Sequence, residues 1–145
     1  MPKMIFVNLP VADLDRSLAF YKAIGAEQNL QFSDETAAMM AFSESIHVML
    51  LTHDKFRQFT TKRIADPHES VHVLLALSCD GRDGVDEITE KALAAGGREV
   101  HEKEDYGWMY SRAFEDPDGH GWGPMWMDAE AATQAMNQQP ETAEA

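Results

Sequence analysis

Val71-His72-Val73-Leu74-Leu75-Ala76-Leu77-Ser78 alternates as a half-buried strand does, and it is the second run in the chain to do so. The first is Met4-Ile5-Phe6-Val7-Asn8-Leu9, with Ile5, Val7 and Leu9 on one face and Met4, Phe6 and Asn8 on the other. Each run leads into an amphipathic segment. Pro10 stops the first strand, and Asp13 caps a helix predicted over residues 14–24, with Leu14, Leu18 and Tyr21 in one stripe and Gly25 closing it. After the second run, Asp83 caps a helix predicted over residues 84–95, with Val85, Ile88 and Ala92 on its apolar face and Gly96-Gly97 at its end. Glu87 and Lys91 add an i,i+4 pair to that helix. Three strands follow each helix: residues 28–32, 37–42 and 46–52 in the first half, and 98–101, 108–114 and 121–127 in the second. Ser33-Asp34-Glu35, Ser43-Glu44-Ser45 and Asp116-Pro117-Asp118-Gly119 supply turns. The chain therefore reads as one βαβββ unit written twice, each copy too small to bury its own sheet.

The two units cover about residues 3–62 and 71–128 of a single domain spanning 1–137. A short helix over 54–60 turns Phe56 and Phe59 inward, and residues 63–70, with Asp66-Pro67, form the linker. Residues 129–137 suit a terminal helix, and 138–145 a disordered tail. At 145 residues the chain can bury a core without staples. Twelve basic against twenty-five acidic residues leave a net charge of −13, which repels nucleic acid and anionic membranes and favours a cationic ligand. A single cysteine, Cys79, excludes an internal disulfide framework and any cysteine-rich zinc site. With no secretory leader in MPKMIFVNLP and no apolar run of membrane-spanning length, the expectation is a cytoplasmic protein.

Three segments, taken together, resemble one superfamily. They are Phe6-Val7-Asn8-Leu9-Pro10-Val11-Ala12-Asp13-Leu14 with Arg16-Ser17 and Phe20-Tyr21; Ala94-Ala95-Gly96-Gly97; and Phe114-Glu115-Asp116-Pro117-Asp118-Gly119-His120. Their types, order and separation are similar to the signatures of the vicinal oxygen chelate proteins. That group includes glyoxalase I, extradiol dioxygenases, fosfomycin resistance enzymes and bleomycin resistance proteins. The resemblance covers residues 3–128 and is nearest a branch labelled predicted lactoylglutathione lyases. It implies an α+β fold in which two βαβββ modules form a curled mixed β-sheet around a cleft, with helices on the convex side, and it implies a homodimer.

The resemblance also implies four metal-ligand positions, two on each module, which fall here on Phe6, Leu50 (within one residue), Leu74 and Gly123. None of these side chains coordinates a metal. The expectation is therefore no metal and no cofactor, and a small-molecule binder like the bleomycin resistance proteins. The alternative is a lyase or isomerase of the glyoxalase type with displaced ligands such as His72, Glu44 or Glu115. A third reading is an interaction protein with a vestigial cleft.

Parity along the strands assigns the ligand-binding candidates. Asn8 shares a face with Phe6, Thr52 with Leu50, and His72 with Leu74, which together make an apolar cleft with a few polar groups. His72 is equally readable as a hydrogen-bonded structural residue, and Asn8 as a pin for the first strand. Tyr106, Trp108 and Tyr110 either rim the cleft and stack on a planar ligand or belong to the core or an interface. Arg112 holds a ligand carboxylate or pairs with Glu115 or Asp116. Trp122 and Trp126, opposite in parity to Gly123, belong against the helices, and His120 is expected to be exposed.

Overall fold

The computed structural model describes residues 3–138. The first module runs β1 (Ile5–Val11), α1 (Leu14–Ala23), β2 (Glu27–Asn29), a 3-10 turn (Leu30–Phe32), β3 (Ala37–Ala41) and β4 (Ile46–Thr52). A short α2 (His53–Phe56) opens the linker. The second module runs β5 (Leu74–Ser78), α3 (Arg82–Ala94), β6 (Arg98–Asp105), β7 (Met109–Glu115) and β8 (Gly121–Met127), followed by α4 (Ala129–Asn137).

Each module folds into a four-stranded mixed sheet of the same topology. The orders are β1-β4-β3-β2 and β5-β8-β7-β6, with β1 parallel to β4, β5 parallel to β8, and the remaining neighbours antiparallel. The expected α+β architecture of two βαβββ modules is what the chain adopts. Of the tail expected over residues 138–145, Gln138 caps α4 and residues 139–145 lie outside the described residues. Among the described residues, no helix is long and apolar enough to cross a membrane.

Local departures from the sequence reading have local causes. The 3-10 turn takes over where a longer β2 was expected, because the Asn29 side chain accepts from the Gln31 N–H at 3.0 Å and the Ser33 hydroxyl donates to the Asn29 carbonyl. Helix α3 starts at Arg82 with Gly81, not Asp83, as its N-cap. Strand β5 starts at Leu74 rather than Val71. Its parallel partner β8 begins at Gly121, directly opposite Leu74, so the three residues before Leu74 have no strand to pair with.

The core is shared between the modules. Phe20 and Tyr21 of α1 pack on Leu9, Met40, Val48 and Leu50 of the first sheet and on Phe114 and Trp122 of the second. Phe20 meets Phe114 with ring centroids 6.1 Å apart, and Tyr21 meets Trp122 edge-on at 5.9 Å. Both sheets therefore turn one face to a common layer containing α1 and α3. Their opposite faces, the cups, are left open.

A polar lock fastens this seam. The Asp118 carboxylate accepts from the Ala12 N–H at 2.9 Å, the Ser17 hydroxyl at 3.1 Å and the Arg16 guanidinium at 3.3 Å. Asp116 accepts from the Tyr21 hydroxyl at 2.6 Å and, within its own turn, from the N–H groups of Asp118 and His120. Trp122 Nε1 donates to the Tyr21 oxygen at 2.9 Å. His120 Nε2 lies 2.8 Å from the Pro10 carbonyl. A carbonyl can only accept, so that nitrogen carries the proton. His120 is thus tied into the seam and half-buried, not the exposed residue its turn position suggested.

Candidate functional site

Which side chains enter the cups follows from register. In the first sheet Leu9, Leu50 and Ala38 lie opposite one another and are all in the core, so their neighbours Phe6 with His47, and Asn8 with Met49 and Met39, share the cup face. Phe6 is 44% exposed and stacks on His47 with ring centroids 4.7 Å apart. His47 is 8% exposed beneath it, and its Nδ1 has no hydrogen-bond partner among the described residues.

Leu50 and Thr52 do not face this cup. Leu50 is fully buried against the helices, and Thr52 uses its hydroxyl to accept from the Lys55 N–H at 3.3 Å as the cap of α2. The β1–β4 register pairs Phe6 with His47, so the odd-numbered residues of β4 line the cup. The family's second ligand position therefore falls to Met49 or Leu51.

In the second sheet Phe114 opposes Trp122, Tyr110 opposes Trp126, and Phe114 and Trp122 are in the core. The even-numbered residues of β7 thus face α3. Tyr110 donates its hydroxyl to Asp86 at 2.6 Å, and Arg112 reaches Asp86 at 3.1 Å, Glu90 at 2.9 Å and Glu99 at 3.1 Å. The Arg112 side chain is 12% exposed, and its hydrogen bond to Glu99, with Glu90 and Asp86 behind it, holds the guanidinium charged. Burial, reinforced by Asp86, pushes the Tyr110 phenol up to about 12. In return the Tyr110 hydroxyl, with Arg112, holds Asp86 below the usual carboxylate range. Tyr110 and Arg112 are consequently framework on the helix side, and Arg112 pairs with none of the residues first considered for it. Trp122 and Trp126 do lie on that side, Trp126 beneath the Arg82 guanidinium at 5.2 Å.

Tyr106 and Trp108 stack on each other at 6.0 Å in the β6–β7 hairpin, which Arg82 anchors through Asp105 at 2.6 Å and the Gly107 carbonyl at 2.9 Å. Neither ring is among the residues that line the cavity of the second sheet.

What remains on the open face of the second sheet is a cavity of about 330 Å³, lined by Leu74, Ala76, Met109, Ala113, Gly123 and Met125, with Glu104, Ser111 and His101 among its polar contributors. Leu74 is 76% exposed. His72, expected beside Leu74, precedes the strand and lies instead in a separate cavity of about 370 Å³ that also takes in Asn8. The structure thus brings Asn8 and His72 together, but at the seam between the sheets.

The profile of the glyoxalase/bleomycin resistance protein/dioxygenase superfamily matches residues 3–123. The chain belongs to that superfamily. Among solved structures, a hypothetical protein from S. aureus is 26% identical, with a TM-score of 0.73 over 87% of this chain and 94% of that one. A glyoxalase/bleomycin resistance protein/dioxygenase family enzyme from Burkholderia phytofirmans is 16% identical, with a TM-score of 0.71 over 87% of this chain and 99% of that one. A fosfomycin resistance protein from Listeria monocytogenes is 20% identical, with a TM-score of 0.66 over 90% and 97% of the two chains. Comparison with curated proteins yields no match.

The metal used by many superfamily members does not fit the residues present. Phe6, Leu74 and Gly123 bring no side-chain donor atom, and a thioether from Met49 is the most the second position offers. Among the described residues, no group of three or more His, Cys, Asp or Glu converges to hold a metal. The displaced ligands considered from sequence are scattered: Glu115 pairs with Arg98 at 2.7 Å, Glu44 lies in the β3–β4 turn, and His72 is in the seam.

Proposed function

We propose that this superfamily member is a metal-independent binder of a small, largely apolar molecule, held in the cup of the second sheet. The observation that carries the reading is the lining of that cup. At the positions where relatives place coordinating groups, Leu74 and Gly123 contribute hydrocarbon and space to a cavity of about 330 Å³. An apolar concavity of this size with a few polar groups on its wall suits a small organic ligand. Glu104, the one carboxylate in the lining, supports a cationic or amine-bearing ligand, in keeping with the net charge of −13.

The same reading includes a homodimer. Phe6 and Leu74 are large apolar side chains exposed on the two open faces, and a second copy covering them would deepen the cups. Bleomycin and fosfomycin resistance proteins, named among the solved relatives, make drug-like molecules reasonable first ligands.

Native mass spectrometry of the untagged protein, before and after soaking with nickel and zinc, tests the proposal. The expected result is a dimer that takes up neither metal and retains or acquires an organic ligand. One metal per subunit would overturn it and redirect attention to glyoxalase-type assays.

A further inference from the structure

One groove of this acidic chain is lined mainly by basic side chains and histidines among its ionisable groups. The Asn8–His72 cavity at the seam shares Pro10, Arg63, Ile64, Ala65 and Pro67 with a neighbouring cavity of about 480 Å³, so the two form one continuous groove beneath the linker. Four of the chain's twelve lysines and arginines and four of its six histidines line that groove, against only two aspartates. One of those aspartates, Asp118, is engaged in the seam lock, and the other, Asp66, accepts the N–H of His68 and keeps its charge.

The two cavities differ in lining. The one holding Asn8 and His72 is lined by Phe56, Ile64 and the exposed Val71 and Val73 together with Lys62 and Arg63, and its neighbour by Arg16, Arg57 and Arg63. Arg16 and Arg57 are partnered by Asp118 and Asp54. Lys62 and Arg63 are exposed, and neither side chain has a hydrogen-bond or ion-pair partner among the described residues. Apolar side chains beside two uncommitted cations make a binding site for the opposite charge, whatever the net charge of the whole surface. Arginine's fork matches the paired oxygens of a carboxylate or phosphate.

We infer that this groove binds an organic oxyanion, a carboxylate or phosphate monoester whose compact apolar body packs on Phe56 and Ile64 while its head meets Arg63 and Lys62. The site is distinct from the cup of the second sheet, and it does not depend on what that cup holds.

Isothermal titration calorimetry of the full chain tests the inference with four probes: phenyl phosphate, benzoate, inorganic phosphate and benzyl alcohol. At least one of the two aromatic anions is expected to bind about tenfold or more tighter than both inorganic phosphate and benzyl alcohol, and whichever binds better identifies the head group. In the double variant Lys62→Gln/Arg63→Gln that affinity should fall about tenfold, while Lys103→Gln, outside the groove, leaves it unchanged. Thermal melting of the double variant reports that it is folded, as expected for two exposed side chains. Binding of inorganic phosphate as tight as that of the aromatic anions, unchanged affinity in the double variant, or no binding of either aromatic anion would each overturn the inference.

Discussion

Tyr21 and Asp116, 95 residues apart in the chain, are joined by a hydrogen bond of 2.6 Å inside the core. The phenol is a relay, donating to Asp116 while accepting from Trp122 Nε1 at 2.9 Å. Burial, and then the Asp116 charge, push its ionisation well above the ordinary tyrosine range, which favours the neutral donor.

Tyr21→Phe keeps the ring and removes only the relay. It leaves a buried carboxylate one donor short and a buried indole N–H without an acceptor. The expected loss is about 1–3 kcal/mol in urea denaturation, with the sheets and their register intact. A change below a few tenths of a kcal/mol would mean that water replaces the hydroxyl.

Asp116 carries a pH signature. Burial raises its carboxyl above the ordinary range, and this outweighs the opposing pull of His120 and of the Tyr21 hydroxyl. A folded-state value above the unfolded one means that the native state binds the proton more tightly. Its contribution to stability therefore grows as pH falls through the folded value and is complete below the unfolded one. In Asp116→Asn, Oδ1 can still accept from the two turn N–H groups, but the titration is gone. The stability of the natural chain relative to Asp116→Asn should rise between about pH 7 and about pH 4 in paired urea titrations. A flat or falling difference would contradict the assignment.

Arg112 gathers three carboxylates on the helix side of the second sheet. Arg112→Ala would leave the partly exposed Asp86, Glu90 and Glu99 with Lys103 as the nearby cation, and a loss of about 1–3 kcal/mol is expected. Arg98→Ala removes a single exposed pair with Glu115, for which less than about 1 kcal/mol is expected. Arg112→Lys should recover only part of the loss, since an ammonium cannot bridge three partners as a guanidinium does. Equal effects of Arg112→Ala and Arg98→Ala in chemical denaturation would show that the network is solvated.

Gly97 and Gly123 make a contrasting pair. A Cβ on Gly97 would meet the Glu115 carbonyl at 2.7 Å and the Ala92 carbonyl at 2.8 Å, backbone atoms with little room to yield. A Cβ on Gly123 would meet nothing closer than 3.7 Å. Gly97→Ala should destabilise by about 1–3 kcal/mol and Gly123→Ala by a few tenths at most, read as shifts in thermal midpoint.

These positions explain why the architecture could be read from sequence and the site could not. Every segment that carries the resemblance is framework: Ser17, Tyr21, Asp116 and Asp118 make the seam lock, and Gly97 sits where α3 passes close to the end of β7. Such contacts are demanding in residue type and leave a signature. The cup has no such demand, because any side chain that fits the sheet is tolerated there. Its occupants were assigned by parity, which fails wherever register is unknown. The parallel pairing of Phe6 with His47 sent Leu50 and Thr52 out of the cup, and the pairing of Phe114 with Trp122 sent Tyr110 and Arg112 to the helices. The second of these was available in principle, since Trp122 was already placed against the helices and its partners across the turn share its face. The basic groove also left a trace in the sequence, as His53, Arg57, Lys62, Arg63 and His68 fall close together in an otherwise acidic chain. Their convergence needed the fold of the linker to become visible.

The seam has a consequence for how the chain is made. During synthesis α1, with Phe20 and Tyr21 on its surface, emerges about ninety residues ahead of Phe114, Asp116 and Trp122, which complete its packing. The first module must wait, with an aromatic face unsealed, until most of the chain has followed. Nascent chains arrested before residue 114 should therefore be captured by chaperones and cut by proteases at α1, and extension past residue 122 should release them from both.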